Sequence, residues 1–247
     1  MTVYRLPQEL VFPSPDEAEP EGLLAIGGDL TLERLLLAYC SGIFPWYSEG
    51  SPILWWSPDP RLILAPKDLH VSKSLSRVIK KDVFKITIDQ SFGEVVQGCA
   101  RVQRPDGKGT WIVKDMVKAY IRLHEAGFAH SVESWFNGKL VGGVYGVSLG
   151  RVFFGESMFY AMENASKVAF VYLTRLLQKC RFEMIDCQVT TANLLRFGAH
   201  EISRSQFLKR LAKALKQPTR RGRWRMPENF EFSTSSDDVS LTLNFPD

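Results

Sequence analysis

The sequence predicts a mixed α/β (α+β) fold in which a small N-terminal domain precedes a larger mixed-sheet domain. Three observations predict it. Of the 247 residues, 45% are hydrophobic and 23% charged, which is close to the globular norm and enough for a sizeable core. From residue 62 onward, helical and strand periods follow one another, with three successive strands at the centre. Residues 1–61 lack that regularity, are rich in Pro and Gly, and contain Trp46, Trp55 and Trp56 close together.

In the N-terminal domain, placed at 1–61, one helix is predicted over roughly 30–40. Leu32, Leu35, Leu36 and Tyr39 share a face there, and Thr31 or Asp29 can cap it. The rest of that domain reads as loops held by aromatic packing. The second domain is placed at 62–234, and the acidic, serine-rich residues 235–247 read as a loose tail. A strand at 83–89 leads to helices at 91–100 and 113–126, the latter with Met116, Val117, Tyr120, Ile121 and His124 at helical spacing. Strands follow at 129–136, 139–148 and 151–157, the first two joined by Asn137-Gly138, a strong hairpin signal. A helix at 163–179, a strand at 182–189 and helices near 191–197 and 203–216 complete the pattern. A meander flanked by helices is not a βαβ repeat. Its order is that of acyl-CoA N-acetyltransferase folds, an analogy of fold that by itself says nothing of function.

Composition excludes several classes. Cys40, Cys99, Cys180 and Cys187 include no CxxC pair, and the four histidines include no HxxxH pair, so neither a structural zinc site nor a disulfide scaffold is expected. Free thiols point to a reducing compartment. The N-terminus has no secretory pattern and no apolar run approaches the roughly 20 residues of a membrane span, so the expected location is the cytoplasm. There is no GxxxxGK[ST] or GxGxxG motif. The Gln/Arg-x-x-Gly-x-Gly/Ala loop that grips the pyrophosphate of CoA is also missing after 151–157.

The net charge of +4 is mild, but it is unevenly placed. Lys73, Arg77, Lys80 and Lys81 recur at helical spacing as one self-repelling basic stripe, which suits a polyanion partner better than a bare solvated face. A second basic segment at 204–225 carries nine Lys and Arg and no acid.

Three polar residues stand out in apolar strands. Alternation puts Asp186 and Gln188 on one face of the strand at 182–189, with Ile185, Cys187 and Val189 on the other. A carboxylate there costs several kcal/mol unless it is paired. Glu156 is a second carboxylate, set among Phe153, Phe154, Met158 and Phe159; its bland alternatives are a salt bridge or a cap for the helix at 163. Asn164 or Ser166 reads as a cap of that helix. Trp46, Trp111, Phe153, Met158 and Ile185 are either core or the lining of a pocket.

The stretches EGLLAIGGDL (21–30), GIFPWYS (42–48), ILWWSPDPR (53–61), GTWI (109–112), FFGESMF (153–159), ENASK (163–167) and IDCQV (185–189) together resemble the leucyl/phenylalanyl-tRNA–protein transferase family over most of the chain. The resemblance implies a small N-terminal domain on an acetyltransferase-like catalytic domain. It implies transfer of Leu or Phe from leucyl- or phenylalanyl-tRNA to proteins with N-terminal Arg or Lys, which marks them for N-degron proteolysis. It implies neither metal nor CoA, no membrane partner, and action as a monomer. By motif position, Trp46, Trp111, Phe153, Met158 and Ile185 would line an apolar side-chain pocket, and Glu156, Asp186 and Gln188 would form the reactive polar group, with Asp186 taking or relaying the proton. Lys73, Arg77, Lys80 and Lys81 would hold tRNA phosphates, with 204–225 as a second candidate surface. The chain departs from the family pattern at Val144, where Met is usual and whose smaller side chain would widen the pocket, at Thr191 (usually Asn) and at Asn193 (usually His).

Overall fold

The computed structural model describes residues 3–102 and 112–226. Trp111 and the 235–247 tail lie outside the described residues. The N-terminal region contains a four-stranded sheet where loops were expected. Its strands are β1 (Tyr4–Leu6), β2 (Leu23–Gly27), β3 (Phe44–Pro45) and β4 (Leu54–Trp56), in the order β1-β2-β4-β3. They are two to five residues long and bounded by Pro and Gly, too short to show a period. Trp55 is fully buried at the centre and donates its indole N–H to the Gly27 carbonyl at 2.9 Å.

Helix α1 (Leu32–Cys40) joins β2 to β3. Thr31 caps it, accepting the Arg34 N–H at 3.4 Å. Asp29 acts one step earlier, accepting the Thr31 N–H at 2.9 Å and pairing with Arg34 Nε at 3.2 Å. Both expected capping residues are therefore used, in series.

The larger sheet has seven strands: β5 (Arg61–Leu64), β6 (Lys85–Ile88), β7 (Ala129–Phe136), β8 (Lys139–Leu149), β9 (Val152–Tyr160), β10 (Met184–Gln188) and β11 (His200–Ile202). Their order is β11-β5-β10-β9-β8-β7-β6. The run from β6 to β9 is an antiparallel meander, β10 lies parallel to β9, and β5 pairs antiparallel with both β10 and β11. Helices α3 (Phe92–Arg101) and α4 (Lys114–Glu125) cover one face, sharing a core with α1 and the small sheet. Helices α2 (Lys73–Lys80) and α5 (Ala165–Lys179) cover the other. Short α6 (Ala192–Arg196) and α7 (Arg204–Ala214) follow β10 and β11. The architecture is α+β, a mixed seven-stranded sheet with helices on both faces. Strands β5 and β11, four and three residues long, escaped the sequence reading.

Asn164 is the N-cap residue of α5, as expected, but its side chain makes no capping hydrogen bond. It adopts a left-handed conformation (φ 67°), and its side chain accepts a hydrogen bond from Lys167 Nζ at 3.4 Å instead of one from the helix backbone.

Glycines in β8 let its neighbours approach. A Cβ on Gly146 would stand 2.1 Å from the Phe154 carbonyl oxygen and 2.5 Å from the Phe153 ring. Gly146→Ala is expected to cost about 1–3 kcal/mol through overpacking, read as a lower urea midpoint. An unchanged midpoint would show that β8 and β9 can part freely.

The two basic segments fare differently. Lys73, Arg77, Lys80 and Lys81 are all exposed along and just after α2, as one stripe. In the 204–225 segment Lys209, Arg210, Lys213, Lys216, Arg223 and Arg225 are exposed, and other residues make structural contacts. Arg204 donates to the Ser57 carbonyl at 2.7 Å, and the Arg221 guanidinium lies 4.6 Å over Phe128. Trp224 is buried, its ring stacked on His130 at 3.8 Å and its backbone N–H donating to Asp89 at 2.7 Å.

Candidate functional site

Strands β9 and β10 pair only as far as Asp186↔Phe154 and then part. Each carries a bulge where they separate. On β9, Tyr145 pairs with Ser157 and Gly146 with Gly155, so Glu156 is the extra residue. On β10, Asp186 pairs with Ile63 and Gln188 with Leu62, so Cys187 is the extra one, and Gln188 turns to φ 62°. Bulges of this kind re-aim side chains. Because of the first, Phe153 and Met158 both reach the α5 side although they are five positions apart in the sequence.

The opening is a cavity of about 480 Å3. Phe44 and Trp46 reach it from the small sheet, and Val144, Phe153, Met158 and Ile185 from the large one. Phe170 and Leu173 of α5 close its back. Its polar edge is Glu156 and Gln188, with Thr191 and Asn193 beyond them. Trp46 is steadied by Trp56, whose indole N–H donates to the Trp46 carbonyl at 2.7 Å. Thr191 caps α6, accepting the Leu194 N–H at 3.3 Å, and Asn193 Nδ2 approaches Met158 Sδ at 3.9 Å. Of the apolar residues singled out in the sequence, Trp46, Val144, Phe153, Met158 and Ile185 all line this cavity.

Glu156 has neither of its bland roles. Its carboxylate accepts hydrogen bonds from Tyr39 OH at 2.8 Å, from Tyr120 OH, and from Gln188 Nε2 at 3.0 Å. The two tyrosine oxygens lie 2.7 Å apart, and with one proton each they make all three contacts only when the Glu156 carboxyl supplies a third. Burial pushes the Glu156 carboxyl up to about 7, and the nearby Asp186 charge adds to this; the tyrosine and Gln188 donors pull the other way. Burial, reinforced by the Glu156 charge, holds both tyrosines well above their ordinary range, so they remain donors. Tyr39 and Tyr120 read in the sequence as core residues of amphipathic helices; only their hydroxyls, in a core that must satisfy them, signalled more.

Asp186 requires a correction. Alternation suggested that it shares the cavity edge with Gln188, yet only Gln188 lines the cavity. Asp186 is fully buried in a two-pronged pair with Arg61, at 2.8 Å (Nε) and 2.6 Å (Nη2). The Arg61 guanidinium lies 4.8 Å from the Phe44 ring centre and 4.5 Å from that of Phe207. Asp186 Oδ1 also accepts the Gln188 backbone N–H at 3.0 Å. The physical reason is the bulge: an extra residue and a left-handed turn break the period of two that the strand argument needed. The sequence signal for Arg61 was the requirement that a buried carboxylate find a cation.

Among the described residues, no three or more His, Cys, Asp and Glu side chains cluster as a metal site, and no helix is long and apolar enough to cross a membrane. Burial also raises the Cys187 thiol, which therefore stays protonated and unreactive beside the cavity. Among the described residues, the arrangement offers an oily pocket with a single carboxylate, Glu156, and the Gln188 amide at its rim.

Comparison with known proteins agrees. The family model described as leucyl/phenylalanyl-tRNA protein transferase matches residues 63–212, and the model for that family's N-terminal domain matches 28–59. The leucyl/phenylalanyl-tRNA–protein transferase of Anaeromyxobacter sp. (strain Fw109-5) is 59% identical over 91% of this chain and 95% of its own. That of Desulfatibacillum aliphaticivorans is 57% identical, over 91% and 96%. That of Nitratidesulfovibrio vulgaris (strain DP4) is 56% identical, over 93% and 99%. Among solved structures, L-PGS from Bacillus licheniformis is a distant likeness, at TM-score 0.37 and 11% identity over 68% of this chain and 54% of that one. The chain belongs to the leucyl/phenylalanyl-tRNA protein transferase family.

Proposed function

We propose that this protein transfers Leu or Phe from its tRNA ester to the N-terminal Arg or Lys of acceptor proteins in the cytoplasm, marking them for N-degron proteolysis. The observation that carries the reading is the apolar cavity with Glu156 and Gln188 on its edge.

An aminoacyl ester is already activated, so no covalent enzyme intermediate is needed. The acceptor nitrogen attacks the ester carbonyl, the new C–N bond forms, and the bond to the tRNA ribose oxygen breaks. Holding the two reactants in line accounts for roughly 7–11 kcal/mol of the barrier. Gln188 commits its NH2 group to Glu156, which turns its amide oxygen away as an acceptor for the attacking amine's N–H. The Glu156 carboxylate takes the amine's proton, and the departing ribose oxygen is its destination. Asp186, tied to Arg61, positions Gln188 through the Gln188 N–H rather than meeting substrate. The exposed stripe of Lys73, Arg77, Lys80 and Lys81 holds the tRNA body through phosphates, a salt-sensitive and sequence-tolerant contact. The direct test is transfer of labelled Leu from leucyl-tRNA to an Arg-initiated peptide; no transfer would overturn the reading.

The cavity selects by size and shape. One methylene is worth about 1–3 kcal/mol, so β-branched Ile and Val should be poorer donors than Leu and Phe. Val144 is 3% exposed at the cavity wall. Val144→Met narrows the wall and is expected to lower Phe transfer about tenfold relative to Leu in a competition assay. An unchanged ratio would mean that this wall does not meet the side chain.

A further inference from the structure

A second cleft, of about 540 Å3, opens beside the cavity and shares Asn193 with it. His70, Ser72, Asn164, Lys167 and Arg196 line it, and among the described residues no carboxylate does. Its walls are fixed. His70 N–H donates to the Phe197 carbonyl at 2.9 Å, and a Cβ on Gly198 (φ 94°) would stand 2.5 Å from the Asp68 carbonyl oxygen, so the 68–70 loop and the end of α6 are pressed together. Lys167 rises from the first turn of α5, where Nζ is 3.4 Å from Asn164 Oδ1. Neither Lys167 nor Arg196 forms an ion pair with a carboxylate among the described residues. Ser72, at the cleft, is the N-cap of α2, so the basic stripe starts at the cleft's far side.

Two like charges facing one hollow with no acid to offset them repel each other, and an anion relieves that cost. The position defines which anion. With an aminoacyl group in the cavity and a polyanion on α2, the cleft lies between the reacting end of the donor and its body. Arg supplies a planar fork that matches phosphate oxygens, and Lys a point charge. We propose that Lys167 and Arg196, with the hydroxyl of Ser72, bind the phosphodiester that joins the last two nucleotides of the aminoacyl-tRNA. The proposal rests on the transfer reading above, and it adds a subsite that recognises charge where the cavity recognises shape.

Two short donors separate the parts. Phenylalanyl-adenosine carries no phosphate; phenylalanyl-cytidylyl-adenosine carries the one phosphodiester in question. In the unaltered protein the dinucleotide is expected to react with at least tenfold higher kcat/KM, an advantage that shrinks as salt rises. In the doubly substituted Lys167→Gln, Arg196→Gln protein, kcat/KM for the dinucleotide should fall to the adenosine value, while that for phenylalanyl-adenosine stays within twofold. Equal losses on both donors, no loss on either, or no dinucleotide advantage in the unaltered protein would each overturn the phosphodiester subsite. Failure of leucyl-tRNA itself to donate would instead overturn the transfer reading, so the two failures are distinguishable.

Discussion

Glu156→Gln is expected to reduce transfer by about two to four orders of magnitude, the usual contribution of a positioned proton acceptor. The amide keeps the size of the side chain and can still meet Tyr39, Tyr120 and Gln188, but it cannot take a proton. The pH dependence gives the sharper signature. Burial holds the Glu156 carboxyl protonated up to about 7, so the active carboxylate is lost as pH falls below that value. The acceptor's α-amine, near 8 in solution, is also lost to protonation on the same side. Below pH 7 the logarithm of kcat/KM should therefore rise with a slope of about two per pH unit in the unaltered protein and about one in Glu156→Gln. A slope that the substitution leaves alone would remove Glu156 from proton transfer. Stability should move the other way. The folded carboxyl titrates above its unfolded value, so its contribution is present at low pH and is lost as pH rises through the interval up to about 7. The less active variant is then no less stable at pH 8, which separates a chemical role from a structural one.

Arg61→Ala is expected to cost about 3–5 kcal/mol of folding stability, because it leaves the fully buried Asp186 carboxylate without its partner. The loss extends past one ion pair. The Arg61 guanidinium also lies against Phe44 of the small sheet and Phe207 of α7, so its removal loosens three elements at once. Asp186→Asn is the milder test, expected to destabilise the fold while leaving Arg61 charged and unpaired. It also removes the negative charge that raises the Glu156 carboxyl, so the acid limb of the pH profile should move to lower pH. If Asp186 itself handled the proton, the variant's acid limb would drop to a slope of about one rather than move. A urea midpoint unchanged in Arg61→Ala would refute the view that this pair locks the site.

The sequence made the larger domain legible because its helices are long enough to show a stripe and Asn137-Gly138 fixes a hairpin. The predicted strand at 129–136 and helix at 113–126 match β7 and α4 to within a residue or so. The small sheet was hidden for the opposite reason: strands of two to five residues present no period, and their pairing partners lie far apart in the chain. The cavity's apolar wall was readable from residue type and motif. Its chemistry was read less well, because bulges at Glu156 and Cys187 shift the face of each strand at the very point where the site forms. Asp186 thus turned out to be occupied by Arg61, 125 positions away, and Tyr39 and Tyr120 reached Glu156 from helices whose pattern spoke only of core. Local sequence carries no record of such long-range pairings.

The most direct check is a crystal structure with an adenosine whose ribose bears phenylalanine through a stable amide. The phenyl ring should sit among Phe153, Met158 and Ile185, with the amide carbonyl beside Gln188 and the adenosine turned toward Asn193. A ring placed anywhere outside that hollow, or a carbonyl remote from the Glu156–Gln188 pair, would contradict the account.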